Sequence, residues 1–222
     1  MTALDGLLLH RSTTAQQVAA GLSERILAGA FAPGDRLRES SISSELGVAR
    51  NTVREAVRIL ELGGLVRYEV NRGAVVISPT PEKVEALYTA RERLETAAVA
   101  RELRPDQLAS ITAAFDALAA ATASRNVMSI VEHDLAFHSS IVATLDSSRL
   151  DEFYAELTRE LRFYLTVLSV EDREHENPEH LLAEHEAILS ALRDNDPARA
   201  VAQIHAHIET NAHRVKEILA QP

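Results

Sequence analysis

The sequence predicts a mainly α protein in two parts: an N-terminal winged helix-turn-helix with a small β-wing, then an all-α bundle of six antiparallel helices. Three observations predict it. A turn at Gly47 separates a short helical segment from a longer one carrying arginines at 50, 54 and 58, and two tightly joined helices with a basic second member are helix-turn-helix grammar. Two short apolar runs follow, with Asn71-Arg72-Gly73 between them as a hairpin turn. Beyond Pro79 and Pro81 only helical periodicity remains, interrupted by Pro, Asn and Asp.

In order along the chain, Thr13 or Thr14 caps a first helix running to about Ala30, with Val18, Leu22 and Ile26 on one apolar stripe. Pro33 and Gly34 break it, and Arg36-Leu37 reads as a short strand. A short helix from about Ser40 to Leu46 stops at Gly47, which tolerates the left-handed backbone of a helix end. The next helix starts near Ala49 and ends before Gly63-Gly64. Val53, Ala56, Val57 and Leu60 face its core side, and Arg50, Arg54 and Arg58 recur at i, i+4, i+8 on a neighbouring stripe. Leu65–Tyr68 and Ala74–Ile77 read as the wing strands. The spacing then predicts helices at about 82–103, 106–123, 127–144, 148–169, 178–194 and 197–219. Short connections between them suggest a bundle. The expected division is a DNA-binding domain at 1–78, a linker at 79–82 and a helical domain at 83–222.

Charge agrees with two bodies of different electrostatics. The chain of 222 residues carries a formal net charge of -10. Residues 1–80 hold 9 Arg against 8 Asp and Glu, a net of +1, whereas residues 81–222 hold 14 Lys and Arg against 25 Asp and Glu, a net of -11. Only the first part approaches a phosphate backbone without strong repulsion. The absence of cysteine excludes disulfides and Cys-based zinc sites. No apolar run approaches the roughly 20 residues of a membrane span, and no signal-peptide pattern opens the chain. A cytoplasmic protein with no membrane partner is the expectation.

A recognition helix needs Arg or Lys near its N-terminus and small polar side chains that fit a groove. Arg50, Asn51, Thr52 and Arg54 supply these. The arginines alone also fit a merely solvated basic face; the preceding glycine turn and the hairpin tipped by Arg72 favour double-stranded DNA. Residues 13–78 resemble the winged-helix domain of GntR-type bacterial transcription regulators, through PGDRLRESSISSELGVARNTVREAVRILELGGLV and the wing VRYEVNRGAVVIS. The resemblance to that family's FadR branch implies DNA contacts at Arg50, Asn51, Thr52 and Arg54, and at the wing tip through Gly73 beside Arg72. There are two departures. Ala49 stands where the family usually has a capping Ser or Thr, and Ser40 stands where FadR itself has a DNA-contacting Arg.

In the helical part, Asp134 and His138 lie at i, i+4 on one helix, His185 on a second and His207 on a third. Three imidazoles and a carboxylate suit a borderline divalent metal such as Zn, Ni or Mn, with room on an octahedral ion for water or a chelating effector. Spacing alone also fits solvated surface histidines. Residues 82–219, however, resemble the FCD effector domain that follows the winged helix in FadR-branch regulators, closer to the six-helix VanR-like subgroup. That resemblance implies metal binding by Asp134, His138, His185 and His207. It also implies that Arg91 points into an effector cavity and binds the carboxylate of a small metabolite. Read from spacing alone, Arg91 and Glu95 are an i, i+4 surface ion pair. Phe137, Phe153, Phe163 and Tyr164 read as core or pocket wall, and His133, His175, His180, His205 and His213 are not assigned to the site.

The expected function is a ligand-responsive transcription regulator, not an enzyme, binding a palindromic operator as a homodimer. The alternatives are a regulator with a purely structural metal and a metal-dependent helical hydrolase. His133-Asp134 spells the HD dipeptide of phosphohydrolases, yet the only earlier histidine is His10, and there are no Glu-x-x-His pairs of a di-iron bundle.

Overall fold

The structure is a computed structural model that describes residues 12–27, 30–62, 64–77, 80–171 and 178–219. Expectations for His10, His175, the Phe163 side chain and the end of the first helix fall outside those residues. The chain divides into two compact units, Met1–Ser78 and Pro79–Pro222.

In the first unit, α1 spans Thr14–Leu27. Its start is a reciprocal capping box: Gln16 N donates to Thr13 Oγ1 at 3.2 Å and Thr13 N donates to Gln16 Oε1 at 2.7 Å. Val18, Leu22 and Ile26 are buried, and this stripe packs on α3, which spans Arg50–Leu62. Between them, α2 spans Glu39–Leu46 and ends at Gly47, whose φ is +63° and whose N–H returns to the Ser43 carbonyl. Val53, Ala56, Val57 and Leu60 are buried along α3. The wing pairs β1 (Val66–Glu69) with β2 (Gly73–Val76), antiparallel, from Val66↔Val76 to Glu69↔Gly73. Each strand is displaced by one residue from the expected span, because Asn71 (φ +65°) and Gly73 (φ +77°) make a three-residue turn over 70–72. The strand expected at Arg36-Leu37 is a single bridge, Arg36↔Val75. The Asp35 side chain closes the preceding turn on Ala32 N at 2.9 Å, and α2 starts at Glu39, so no length remains for a strand.

Six α-helices form the second unit among the described residues: α4 (Pro81–Val99), α5 (Pro105–Thr122), α6 (Val127–Val142), α7 (Ser148–Glu171), α8 (Glu179–Arg193) and α9 (Pro197–Leu219). Prolines open α4, α5 and α9, where a missing N–H costs nothing. Thr80, Asn126 and Asp196 cap α4, α6 and α9 by accepting from Lys83 N, Ser129 N and Arg199 N. Pro81 and Glu82, expected in the linker, are already the first turn of α4. α6 gives way to a 3-10 turn over Ala143–Leu145 and stops at left-handed Asp146, whose carboxylate is held by Arg104 Nη1 at 2.6 Å. α4 packs on α9 and α6, α5 on α6 and α8, and α7 on α6 and α9. These contacts place α4, α6, α8 and α9 around one interior.

Candidate metal centre and nucleic-acid interface

Four helices feed that interior with polar side chains. Along α4, positions 84, 88, 91, 95 and 98 fall on one stripe, and all five residues are buried. Two of them are Arg91 and Glu95, each 0 % exposed. The pair is therefore not the surface bridge expected from its spacing; the stripe that carries it packs inward with Val84, Tyr88 and Ala98. On α6, Asp134 and His138 lie one turn apart beside buried Ile130, Leu135 and Ile141. α8 supplies His185 and α9 supplies His207, both buried.

Asp134, His138, His185 and His207 each offer one ligand atom, and these atoms all lie within 4.8 Å of one another. The His138 and His207 rings stack with centroids 5.0 Å apart, and His185 stands edge-on to both. Phe137 packs against His138 and His185, with ring centroids at 5.3 and 5.1 Å.

Each imidazole has its Nδ1 tied to an acceptor. His138 Nδ1 lies 2.7 Å from Glu95 Oε2, His185 Nδ1 2.7 Å from the Leu181 carbonyl and His207 Nδ1 2.9 Å from Glu184 Oε2. A neutral ring that donates from Nδ1 keeps its lone pair on Nε2, which is how a ligating histidine is held. His138 Nε2, His185 Nε2 and Asp134 Oδ2 are buried without a hydrogen-bond partner, whereas His207 Nε2 meets Asn211 Nδ2 at 3.3 Å. Buried polar atoms are rarely left unpaired. Electron-pair donors gathered in one place, with His138 Nε2 and Asp134 Oδ2 facing no donor, fit a cation.

His185 Nε2 also approaches Asp134 Oδ1 at 2.9 Å. The neutral tautomer has no proton there to share, so the contact becomes an ion pair only when the ring is protonated. Burial lowers the affinity of His185 for that proton, but Asp134 outweighs burial and raises it above the ordinary value. For His138 burial wins, helped by the positive Arg91, and holds its pKa down at about 4. Burial also lowers that of His207, against the pull of Glu184. Burial alone would raise the carboxyl pKa values of Asp134 and Glu95. His185 instead holds Asp134 well below the carboxylate range, and Arg91 does the same for Glu95.

Glu95 is the hub beside the cluster. Its Oε1 accepts from Arg91 Nε at 2.7 Å and from Tyr154 OH at 2.6 Å, and its Oε2 faces His138. Both Arg91 Nη atoms are buried without hydrogen-bond partners. Tyr154, Glu184 and Glu95 were not singled out as site residues from the sequence. For Glu95 the buried i, i+3, i+4 stripe was the available signal; Tyr154 and Glu184 offered none.

Of the other expected residues, Phe137 and Tyr164 are buried, but Phe153 is 50 % exposed and is neither core nor pocket wall. His133 bonds back to the Ser129 carbonyl at 2.8 Å and is not in the cluster. His180, His205 and His213 are largely exposed.

In the first unit, Arg36, Leu37, Arg38, Glu39, Ser40, Arg50, Arg54, Gly73 and Ala74 line a groove of about 530 Å³. Arg50 and Asn51 are exposed at the start of α3, and Thr52 is half-buried. Arg54 lies 3.6 Å from Glu39, which also accepts from Tyr68 OH. Arg72 is held on the wing by Glu69 Oε2 at 2.7 Å and by the Gly34 carbonyl at 3.2 Å. Arg36 and Arg38 join the groove although the sequence pattern did not mark them. They lie before α2, and only the pairing of 34–37 along β2 brings them beside α3.

Comparison with known proteins fits both units. Residues 14–76 match the gntR family of bacterial regulatory proteins, and residues 86–210 match the FCD domain. The chain is 26 % identical to the gluconate operon transcriptional repressor of Bacillus subtilis, over 95 % of this chain and 88 % of that protein. It is 28 % identical to the Exu regulon transcriptional regulator of Escherichia coli K12, over 87 % and 81 % of the two chains. A solved GntR structure from Rhodococcus sp. RHA1 aligns with TM-score 0.69 and 30 % identity, over 94 % of this chain and 99 % of that one. No helix among the described residues is long and apolar enough to cross a membrane. The chain belongs to the GntR family of bacterial transcription regulators, with an N-terminal DNA-binding domain and a C-terminal FCD domain.

Proposed function

We propose that this regulator binds a palindromic operator as a cytoplasmic homodimer and senses a small organic acid at a divalent metal held by Asp134, His138, His185 and His207. The observation that carries the reading is the buried four-residue cluster, in which each residue offers a ligand atom within 4.8 Å of the others and in which His138 Nε2 and Asp134 Oδ2 have no hydrogen-bond partner. Three nitrogens and one oxygen suit Zn, Ni or Mn. Bound there, the metal would supply a positive Lewis-acid centre for an effector's oxygens. Arg91 keeps two unpaired Nη groups beside Glu95, a fork that matches a carboxylate. One relative is named for the gluconate operon, and gluconate is a hydroxylated carboxylate, which favours the same effector class.

DNA contacts are assigned to Arg50, Asn51, Thr52 and Arg54 on α3 and to Arg72 and Gly73 on the wing. Arg36 and Arg38 add phosphate contacts from the same groove. The effector acts on DNA affinity only if it binds the DNA-competent and DNA-incompetent arrangements unequally.

The test has two stages. Elemental analysis of purified protein should find a stoichiometric divalent metal, lost in His138→Ala combined with His185→Ala. Operator affinity should then shift when hydroxycarboxylates are added to the metal-loaded wild type. A metal that survives in the double variant would show that these are not the ligands. A metal present but no shift across a broad panel of acids would make the ion structural.

A further inference from the structure

Glu95 is fully buried and divides its two oxygens between two tasks. Oε2 takes His138 Nδ1, while Oε1 takes Arg91 Nε and Tyr154 OH. The carboxylate sits on α4, His138 on α6 and Tyr154 on α7. Of the two neutral tautomers, a carboxylate facing Nδ1 admits only the one with its proton on Nδ1, so the lone pair of His138 stays on Nε2, which is buried without a hydrogen-bond partner. The same carboxylate occupies Arg91 Nε and leaves both Nη groups unpaired.

We propose that Glu95 is a positioning residue that presets His138 for metal binding and fixes the Arg91 guanidinium in place, so that one buried carboxylate organises both the metal side and the anion side of the site. This inference rests on the metal reading above.

Glu95→Gln keeps the shape and reverses the chemistry on one side. If the Gln amide Nε2–H turns toward His138 Nδ1–H, two donors oppose each other and the imidazole gains by moving its proton to its own Nε2, which closes that nitrogen to a metal. If the amide turns the other way, its NH2 opposes the Arg91 Nε–H, donor against cationic donor, so the arrangement that turns Nε2 toward His138 is favoured. In either arrangement Arg91 loses its anionic partner, and in the favoured one His138 also loses its preset Nε2 lone pair.

The experiment uses the full chain and two readouts. Long-range 1H–15N correlation of the metal-free protein should show His138 protonated on Nδ1 in the wild type and changed in Glu95→Gln. Titration with Zn2+, Ni2+ and Mn2+ should give affinities about 10- to 100-fold weaker in the variant, the range for loss of a carboxylate partner to a ligating histidine. Wild-type His138 protonated on Nε2 alone would overturn the proposal. So would equal metal affinity in a folded Glu95→Gln protein. Failure of the wild type to take up any of the metals would overturn the metal reading itself, and this inference with it. Should Glu95→Gln not fold, the wild-type tautomer still decides.

Discussion

At the scale of single residues, the two sites make opposite use of exposure. Arg50 is exposed at the start of α3 and lines the groove with Arg36, Arg38 and Arg54. Arg50→Ala should therefore leave folding intact and abolish operator preference, a loss of about 1–3 kcal/mol per base-reading side chain. Competition binding against scrambled DNA measures it, and unchanged preference would remove Arg50 from the reading surface. Arg38→Ala should instead weaken all sequences alike and lower the salt slope by about 1. His138 behaves differently because it is buried. Its pKa lies at about 4, below the ordinary 6.5, so the unfolded chain binds a proton that the folded one refuses. Its contribution to stability is complete above 6.5 and is lost as pH falls toward about 4. His207 acts in the same sense, since its pKa is also lowered. His185 opposes them: its pKa is raised, so its contribution is present at low pH and is lost as pH rises through the folded value. Metal-free protein should thus melt at lower temperature as pH drops below 6.5, and His138→Gln should flatten that slope. An unchanged slope in the variant would refute the assignment to His138.

At the scale of elements, the helix starts and stops are written in local chemistry. Gly47 adopts φ +63° to end α2, and Thr80, Asn126 and Asp196 cap their helices through side-chain oxygens. α2 and α8 start without a side-chain cap, and α3 starts after an alanine. Ala49 precedes it with only its carbonyl, which accepts from Thr52 N and Val53 N. A hydroxyl there would satisfy a free N–H of the first turn, so Ala49→Ser should stabilise the protein by about 0.5–1 kcal/mol, read as a higher denaturation midpoint at unchanged slope. No gain would mean that the first turn already has its partners in water. The wing shows the limit of local reading. Its first strand lies one residue later and its second one residue earlier than the sequence suggests, because the turn chemistry of Asn71 and Gly73 sets the register.

At the scale of the whole molecule, one chain combines a first part of net charge +1 with a second of net charge -11. Acidity confined to the second part leaves the basic groove of the first free to approach DNA. If the proposed metal binds the folded protein alone, an excess of about 100 times its Kd should add about 2.7 kcal/mol of stability, visible as a rise in Tm that a chelator reverses. No rise with any of the three metals would argue against a resident ion. Light scattering of the same samples should give the mass of a dimer.

The sequence by itself determined the helices, their breaks, the wing and the alignment of Arg50 and Arg54, because caps, turns and periodicity are local chemistry that neighbouring residues decide. It also placed Asp134 and His138 one turn apart, since a helix fixes i, i+4. What it left open was which polar residues go inside. Arg91 and Glu95 have the spacing of a surface pair, and only packing of α4 against α6 and α9 makes them buried. Phe153, apolar and expected inside, is turned out by the same packing of α7. Tyr154 and Glu184 reach the site from sequence positions distant from Glu95 and His207, and Arg36 and Arg38 reach the groove by pairing with β2. These are contacts between separate elements. Only the tertiary structure decides them, because they depend on which face of each helix the rest of the chain leaves room to bury.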